Sequence, residues 1–292
     1  MSQPVLSARG LGKVIKGRTI LKDVCVEEHR GSVIGVIGRN GAGKTTLLDI
    51  LLGFSPPTSG ESKVFGHDSL ALPATVKGRI GFVPQQDELI PMITGAQHLA
   101  LHSSLHPRWN GDLVDRLARA WEVPLDRPVQ VLSVGERQKL SSLLALGHDP
   151  ELLVLDEPAA SLDPLARRRF LQELLEISSD RTRTVLFSTH IVSDLERVAD
   201  RIWILREGAL AWSGELDTLK ESVVRLQVRA RRALPPGLAL PHALTQQVRE
   251  TWASALVSQW SPGEVQSLRD SLDAEVEVQN LGLEDLFVEL HA

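Results

Sequence analysis

An α/β fold is predicted for this 292-residue chain: a doubly wound sheet with an antiparallel β subdomain, an inserted helical subdomain and a small α+β element after it. One basis is an apolar run that enters a glycine-rich turn and leaves it as a helix. Another is a second apolar run that ends in two acids. Between them lies a block of helical spacing. A hydrophobic content of 42% and a charged content of 24% are those of an ordinary globular protein.

Residues 4–37 read as short strands with turns, Lys16-Gly17-Arg18 being the turn between two apolar segments. Val33-Ile34-Gly35-Val36-Ile37 is apolar and β-branched, as a parallel strand buried on both faces must be. Gly38-Arg39-Asn40-Gly41-Ala42-Gly43-Lys44-Thr45 then fits G-x-x-x-x-G-K-[ST], with Thr46 directly behind it. Glycine suits a backbone that curls around a β-phosphate with successive N–H groups pointing inward, because a Cβ would obstruct the approach. Lys44 offers a point charge to the β- and γ-phosphates, and Thr45 a hydroxyl to magnesium. Thr46 to Leu52 reads as a buried helix with Gly53 just past its end, so a helix N-terminus is aimed at the phosphate. The expected ligands are ATP and Mg2+, and the expected reaction is ATP hydrolysis.

From about residue 87 to 146 the pattern is helical. Leu113, Leu117, Ala120 and Trp121 share one face of a helix that begins at Asn110 and stops before Pro124. Ser133-x-x-Glu136 is a capping box opening a helix whose buried side carries Leu140, Leu143, Leu144 and Leu146. Leu152-Leu153-Val154-Leu155 runs straight into Asp156-Glu157, which sets both acids at the C-terminal end of a buried strand, the edge where open α/β sheets bind ligands. Asp156 is suited to hold magnesium, and Glu157 to orient or deprotonate an attacking water. Asp163-Pro164 opens a helix to about Ser178, with Asp as cap and Pro in the first turn. Val185–Phe187, Ile202–Leu205 and Leu210–Trp212 are strands, the last pair joined by a Glu207-Gly208 hairpin turn. Beyond residue 220, Val223–Val228, Ala255–Val257 and Val276–Val278 read as strands, and Pro262–Leu272 and Leu283–Leu290 as helices. Arg231 to Gly237 forms a loop.

In this order the residues resemble the nucleotide-binding subunit of an ABC transporter, over about residues 5–220. The resemblance implies an ABC ATPase domain at 1–220 and an accessory, regulatory or dimerising element at 221–292. Leu132-Ser133-Val134-Gly135-Glu136 stands where such families carry the signature L-S-G-G-Q, which meets the γ-phosphate held by the other protomer. Gln85 resembles the Q-loop glutamine that approaches magnesium and the attacking water. Ser161 and Asp163 resemble the D-loop at the dimer interface, and His190 the switch histidine on the γ-phosphate. The implied catalytic set is Glu157, His190 and Gln85, and the implied metal ligands are Thr45, Gln85 and Asp156. Further implications are a homodimer or heterodimer of ATPase subunits and a polytopic membrane subunit on a separate chain, with the ATPase on the cytoplasmic face of the inner membrane. Export is favoured over import by Leu281-Gly282-Leu283-Glu284-Asp285-Leu286-Phe287, which resembles the ends of bacterial export-type ATPases.

The chain also departs from that pattern. Ile15 stands where an aromatic residue usually stacks on adenine, which leaves ATP against GTP selectivity open. Val134 replaces a glycine, Glu136 replaces glutamine and puts an acid near a phosphate, and Arg39 replaces proline and adds positive charge beside the loop.

A net charge of −5 gives no basic field, so nucleic acid is not an expected partner. The lone Cys25 fits a reducing compartment, and no stretch approaches the roughly 18 apolar residues of a membrane span. The N-terminal stretch from Met1 to Arg9 lacks the regions of a signal peptide. His98, His102 and His106 would line one helical face, read as a polar face toward solvent or a partner, and Arg167-Arg168-Arg169 as a solvated face. The alternative function is a soluble ABC-type mechanoenzyme acting on nucleic acid or ribosomes. The stretch between Gln85 and Ser133 is too short for the coiled coils of DNA-repair members, and a single cassette is unlike ribosome-associated ones.

Overall fold

β1 (Leu6–Ile15) and β2 (Arg18–Glu28) open the computed structural model, which describes residues 3–178 and 182–291, and they pair antiparallel around the expected turn. Met1 and Ser2, where the N-terminal stretch read above begins, lie outside the described residues. β3 (Val33–Ile37) is buried at every position, and α1 (Lys44–Leu51) follows it across the glycine loop. β4 (Ser59–Val64) returns antiparallel beside β1 and β5 (His67–Asp68) extends it, giving a sheet of order β2-β1-β4-β5. Sequence pattern does not reveal β4, because Ser59, Gly60, Glu61 and Ser62 offer no apolar run and the strand is held by its pairing with β1.

α2 (Ala74–Lys77) leads to β6 (Ile80–Val83), and the helical insertion follows as α3 (Gly95–Leu105), α4 (Gly111–Ala120) and α5 (Val134–Gly147). Each begins on a side-chain cap: Thr94 with Gln97 for α3, Asn110 for α4, Ser133 with Glu136 for α5. The buried stripe of α4 is Val114, Leu117 and Ala118, with Trp121 after it. This lies slightly around the helix from the expected face. β7 (Leu152–Asp156), α6 (Pro164–Ser178), β8 (Thr184–Thr189), α7 (Val192–Val198), β9 (Arg201–Arg206) and β10 (Ala209–Glu215) complete the alternation. The central sheet has the order β10-β9-β3-β8-β7-β6, parallel from β9 to β6. β3, β7 and β8 are buried at every residue, which is why Val33–Ile37, Leu152–Leu155 and Val185–Phe187 within them are apolar.

The antiparallel and central sheets share one core that includes Leu6, Leu11, Leu21, Ile34, Leu47 and Trp203. A buried carboxylate also joins them. Glu28, at the end of β2, accepts from the indole N–H of Trp203 at 2.8 Å and lies 2.6 Å from the Arg201 guanidinium, both on β9. A carboxylate that is 3% exposed is tolerable only with such partners.

The chain divides into compact units, Met1–Ser213 and Gly214–Ala292. The second contains α8 (Leu216–Ser222), β11 (Val223–Ala230), β12 (Ala243–Val248), β13 (Trp252–Ser258), α9 (Pro262–Leu272), β14 (Ala274–Asn280) and α10 (Leu283–His291). Its antiparallel sheet has the order β12-β13-β11-β14 and its own core around Val224, Leu226, Val228, Ala255, Val265 and Val276. α8 and β12 were not legible in sequence. Both are short, and β12 carries Thr245, Gln246 and Gln247 in place of an apolar run.

Candidate functional site

Strand register brings the candidate residues to one edge. Ile37 pairs with Thr189, Ser188 with Asp156, and Leu155 with Val83 across adjacent parallel strands. The residues that follow those strands therefore emerge side by side at the carboxyl edge of the sheet: Gly38, His190, Glu157 and, after Pro84, Gln85.

At the phosphate loop, Gly38 passes so close to β9 that a Cβ would lie 2.6 Å from the Leu205 carbonyl oxygen, which no side chain can meet without backbone movement. Arg39, Asn40 and Gly41 are exposed, Ala42 is buried and Gly43 half-buried. Lys44 opens α1 with its side chain only 7% exposed. Its ammonium donates to the Gly38 carbonyl at 2.8 Å and lies 3.2 Å from Glu157 Oε1. Thr45 is exposed beside it and Thr46 half-buried.

Opposite the lysine, Asp156 and Glu157 are 1% and 5% exposed. Glu157 Oε2 is 2.5 Å from His190 Nδ1, so this carboxylate spans the lysine and the histidine. The hydroxyl of Ser188 donates to Asp156 Oδ1 and accepts from the Glu157 backbone N–H at 2.9 Å. Glu157 itself sits at φ +52°, a left-handed conformation that non-glycine residues adopt only where their surroundings impose it. A carboxylate in this environment is aimed by its neighbours and shielded from bulk water.

Thr45, Asp49, Gln85 and Asp156 line one cleft of about 940 Å³. Burial and the charge of Asp156 both raise the Asp49 carboxyl above the usual carboxylate range. The donors available to a cation here are the Thr45 hydroxyl, the Gln85 amide oxygen and the Asp156 carboxylate, one of whose oxygens is already oriented by Ser188. An all-oxygen set of this kind fits Mg2+.

The start of α5 belongs to a separate cluster. Ser133 Oγ accepts from the Glu136 N–H at 3.2 Å, and the Glu136 carboxylate accepts from the Ser133 N–H at 2.7 Å. Those bonds hold the Glu136 carboxyl below the usual range. The acid that replaces the expected glutamine is thus engaged in its cap. Gly135 packs on the loop after β7, where a Cβ would lie 3.2 Å from the Ser161 carbonyl oxygen. Ser133, Val134, Ser161 and Asp163 are all exposed, so α5 and the loop present one surface. Asp163 accepts from the N–H groups of Leu165 and Ala166, both at 3.0 Å, and these bonds lower its pKa. Ile15 is 44% exposed at the end of β1.

Several contributors were not read from sequence. Ser188, near the end of β8 and directly across from Asp156, is one; its polarity on a buried strand was the available signal. Gln138, a polar residue two positions before Leu140 on the buried face of α5, donates to the Glu157 carbonyl at 2.8 Å. Arg167 is not part of a solvated face, since its guanidinium donates to the carbonyls of Ala159 and Leu162 at 3.2 and 3.3 Å and braces the loop. The histidine row faces the cleft rather than open solvent, and only its first member is buried. His98 is 2% exposed and hydrogen-bonds the Ile90 backbone, and His106 stacks on His148 with ring centroids 4.5 Å apart. The reason is that α3 packs against α5, which a count of polar residues along one helix cannot show.

Residues 21–160 match the family model described as ABC transporter. The chain is 30% identical over 224 residues to the ABC transporter ATP-binding protein YtrB of Bacillus subtilis, covering 77% of this chain and 76% of that one. It is 34% identical over 215 residues to the Nod factor export ATP-binding protein I of Ralstonia nicotianae, covering 71% and 66%. Among solved structures, an ATP-binding subunit of an ABC transporter superposes with a TM-score of 0.65 at 28% identity, covering 74% of this chain and 92% of that one. A bacterial Atm1-family ABC exporter with ATP bound gives 0.66 at 25% identity, covering 75% and 40%.

Proposed function

The chain belongs to the ABC transporter family as an ATP-binding subunit and ATPase, and on that premise we propose that two such subunits sandwich ATP and Mg2+ between them to drive export through a separate polytopic membrane subunit. The ATPase unit comprises about residues 1–220, and 221–292 is an accessory element. In this reading Gly38 to Thr46 cradle the phosphates. Thr45, Gln85 and Asp156 hold Mg2+, which when bound would neutralise charge on the β- and γ-phosphates. Glu157 accepts a proton from the attacking water, with Gln85 beside it and His190 both orienting Glu157 and meeting the γ-phosphate. Ser133, Val134, Gly135 and Glu136 offer the capped start of α5 to the nucleotide of the partner copy, and Ser161 and Asp163 line the same seam.

The observation that carries this reading is the Lys44–Glu157–His190 cluster, a phosphate-loop lysine 3.2 Å from a carboxylate that also holds a histidine. The shared exposed surface of Ser133 and Ser161 supports the two-chain site. Similarity to a Nod factor export protein and to an Atm1-family exporter supports export as the direction. Among the described residues no helix is long and apolar enough to cross a membrane, consistent with a partner that does, and we place the subunit peripherally on the cytoplasmic face. Glu157→Gln is expected to accumulate as an ATP-bound dimer in size-exclusion chromatography. A variant that stays monomeric at saturating ATP, while the unaltered protein hydrolyses normally, overturns the two-chain site.

A further inference from the structure

We propose that Gln138 is a positioning residue for hydrolysis, gripping the backbone of Glu157 from the second turn of α5; this rests on the reading of Glu157 as the group that activates water. Gln138 is 7% exposed, and its side-chain nitrogen donates to the Glu157 carbonyl at 2.8 Å. A carbonyl can only accept, so this contact fixes which way the amide points. The other end of that amide, Oε1, is buried with no hydrogen-bond partner among the described residues. A buried polar side chain with one unsatisfied atom is a poor way to fill space, and an apolar side chain of the same length would pack without that penalty. What Gln138 provides that an apolar residue would not is the bond to Glu157.

Glu157 has a specific need for it. Its left-handed φ of +52° must be imposed from outside. Ser188 fixes the peptide on one side by accepting from the Glu157 N–H, and Gln138 fixes the peptide on the other by donating to its carbonyl, assisted by Ala160 N–H at 3.2 Å. The carboxylate therefore projects from a Cα pinned between two anchored peptides. The neighbouring residue extends the linkage. Arg137 lies 2.9 Å from the Asp87 carboxylate, two residues beyond Gln85, and donates to the Leu132 carbonyl at 2.7 Å. One turn of α5 thus holds the flank of Gln85 and the backbone of Glu157, while its N-terminus carries Ser133 and Gly135.

The test compares the unaltered protein with Gln138→Met, Gln138→Glu, Glu157→Gln and the Gln138→Met/Glu157→Gln double variant, measuring kcat, ATP affinity and melting temperature. Gln138→Met should lower kcat about tenfold or more through misplacement of the carboxylate, with ATP affinity within about twofold and no drop in melting temperature. Gln138→Glu, which removes the donor at constant length, should lower kcat likewise. In the Glu157→Gln background, Gln138→Met should cost nothing further, because both changes act on one group. Unaltered kcat in Gln138→Met, with Glu157→Gln inactive, overturns the positioning role alone. A loss of kcat that tracks a loss of melting temperature and adds fully in the double variant also overturns it, in favour of simple packing. Near-normal turnover in Glu157→Gln would instead remove the reading of Glu157 and this proposal with it.

Discussion

Ser188→Ala isolates the hydroxyl on which both acids depend. Ser188 is fully buried, and its oxygen donates to Asp156 Oδ1 while accepting from the Glu157 N–H. Removing it leaves a buried N–H without that acceptor and withdraws a donor from a buried carboxylate. The first loss is worth about 1–3 kcal/mol and the second about 1.5–3 kcal/mol, and because the two share one site a combined loss of about 2–4 kcal/mol is expected. For a unit of this size each kcal/mol moves the midpoint by roughly 2–4 °C, so thermal denaturation followed by circular dichroism should shift down by roughly 4–16 °C. ATP turnover should fall as well, because Asp156 loses its fixed orientation and Glu157 loses one of its backbone anchors. A melting temperature within about 1 °C of the unaltered protein would refute the reasoning, since no rearrangement could hide an orphaned N–H and an unsupported carboxylate at so small a cost.

Gly38→Ala should destabilise the protein by about 1–3 kcal/mol and weaken ATP binding, because its new methyl would meet the Leu205 carbonyl oxygen at 2.6 Å; unchanged denaturant midpoint and nucleotide affinity would contradict that clash. Acidification should also destabilise the fold through its histidines. His102 is held below the ordinary imidazole range by burial and by His106, His98 and His148, and His148 by burial, against a bond to the Ile80 carbonyl that works the other way. A base whose folded pKa is depressed binds more protons when unfolded, so its stabilising effect is complete above about pH 6.5 and is lost as the pH falls toward the folded value. Melting curves from about pH 7 to about pH 5.5 should therefore slope less steeply in His102→Gln, and an identical slope would count against the histidine row as the cause.

Much of the site was legible because its residues sit at chain positions where chemistry and local structure coincide. The strand Val33–Ile37, the loop from Gly38 and a helix expected from Thr46 were readable from apolar runs and glycine spacing alone, the helix in fact beginning two residues earlier at Lys44. Asp156 and Glu157 were readable because four apolar residues precede them. What sequence could not give was the tertiary bond. Nothing in a capping box says that the residue after next on the helix reaches a carbonyl just past the end of β7, as Gln138 does. A run of arginines looks solvated until the loop that accepts from Arg167 is in place. Strands such as β4 and β12, polar along much of their length, exist because a neighbour supplies the ladder, not because their own residues favour extension.

The buried tie at Glu28 bears on how rigidly the two sheets are held together. The end of β2 is tied to β9 by the indole of Trp203 and the guanidinium of Arg201, and the Lys22 N–H donates to the Gly208 carbonyl at 2.8 Å, so the outer sheet is fastened to the inner one at two places. On the proposed reading, the tip bearing Ile15 and the curl bearing Lys44 would then act as the fixed jaws of a caliper. A nucleotide bound in that way would meet two grips whose spacing is held by the scaffold rather than by the ligand.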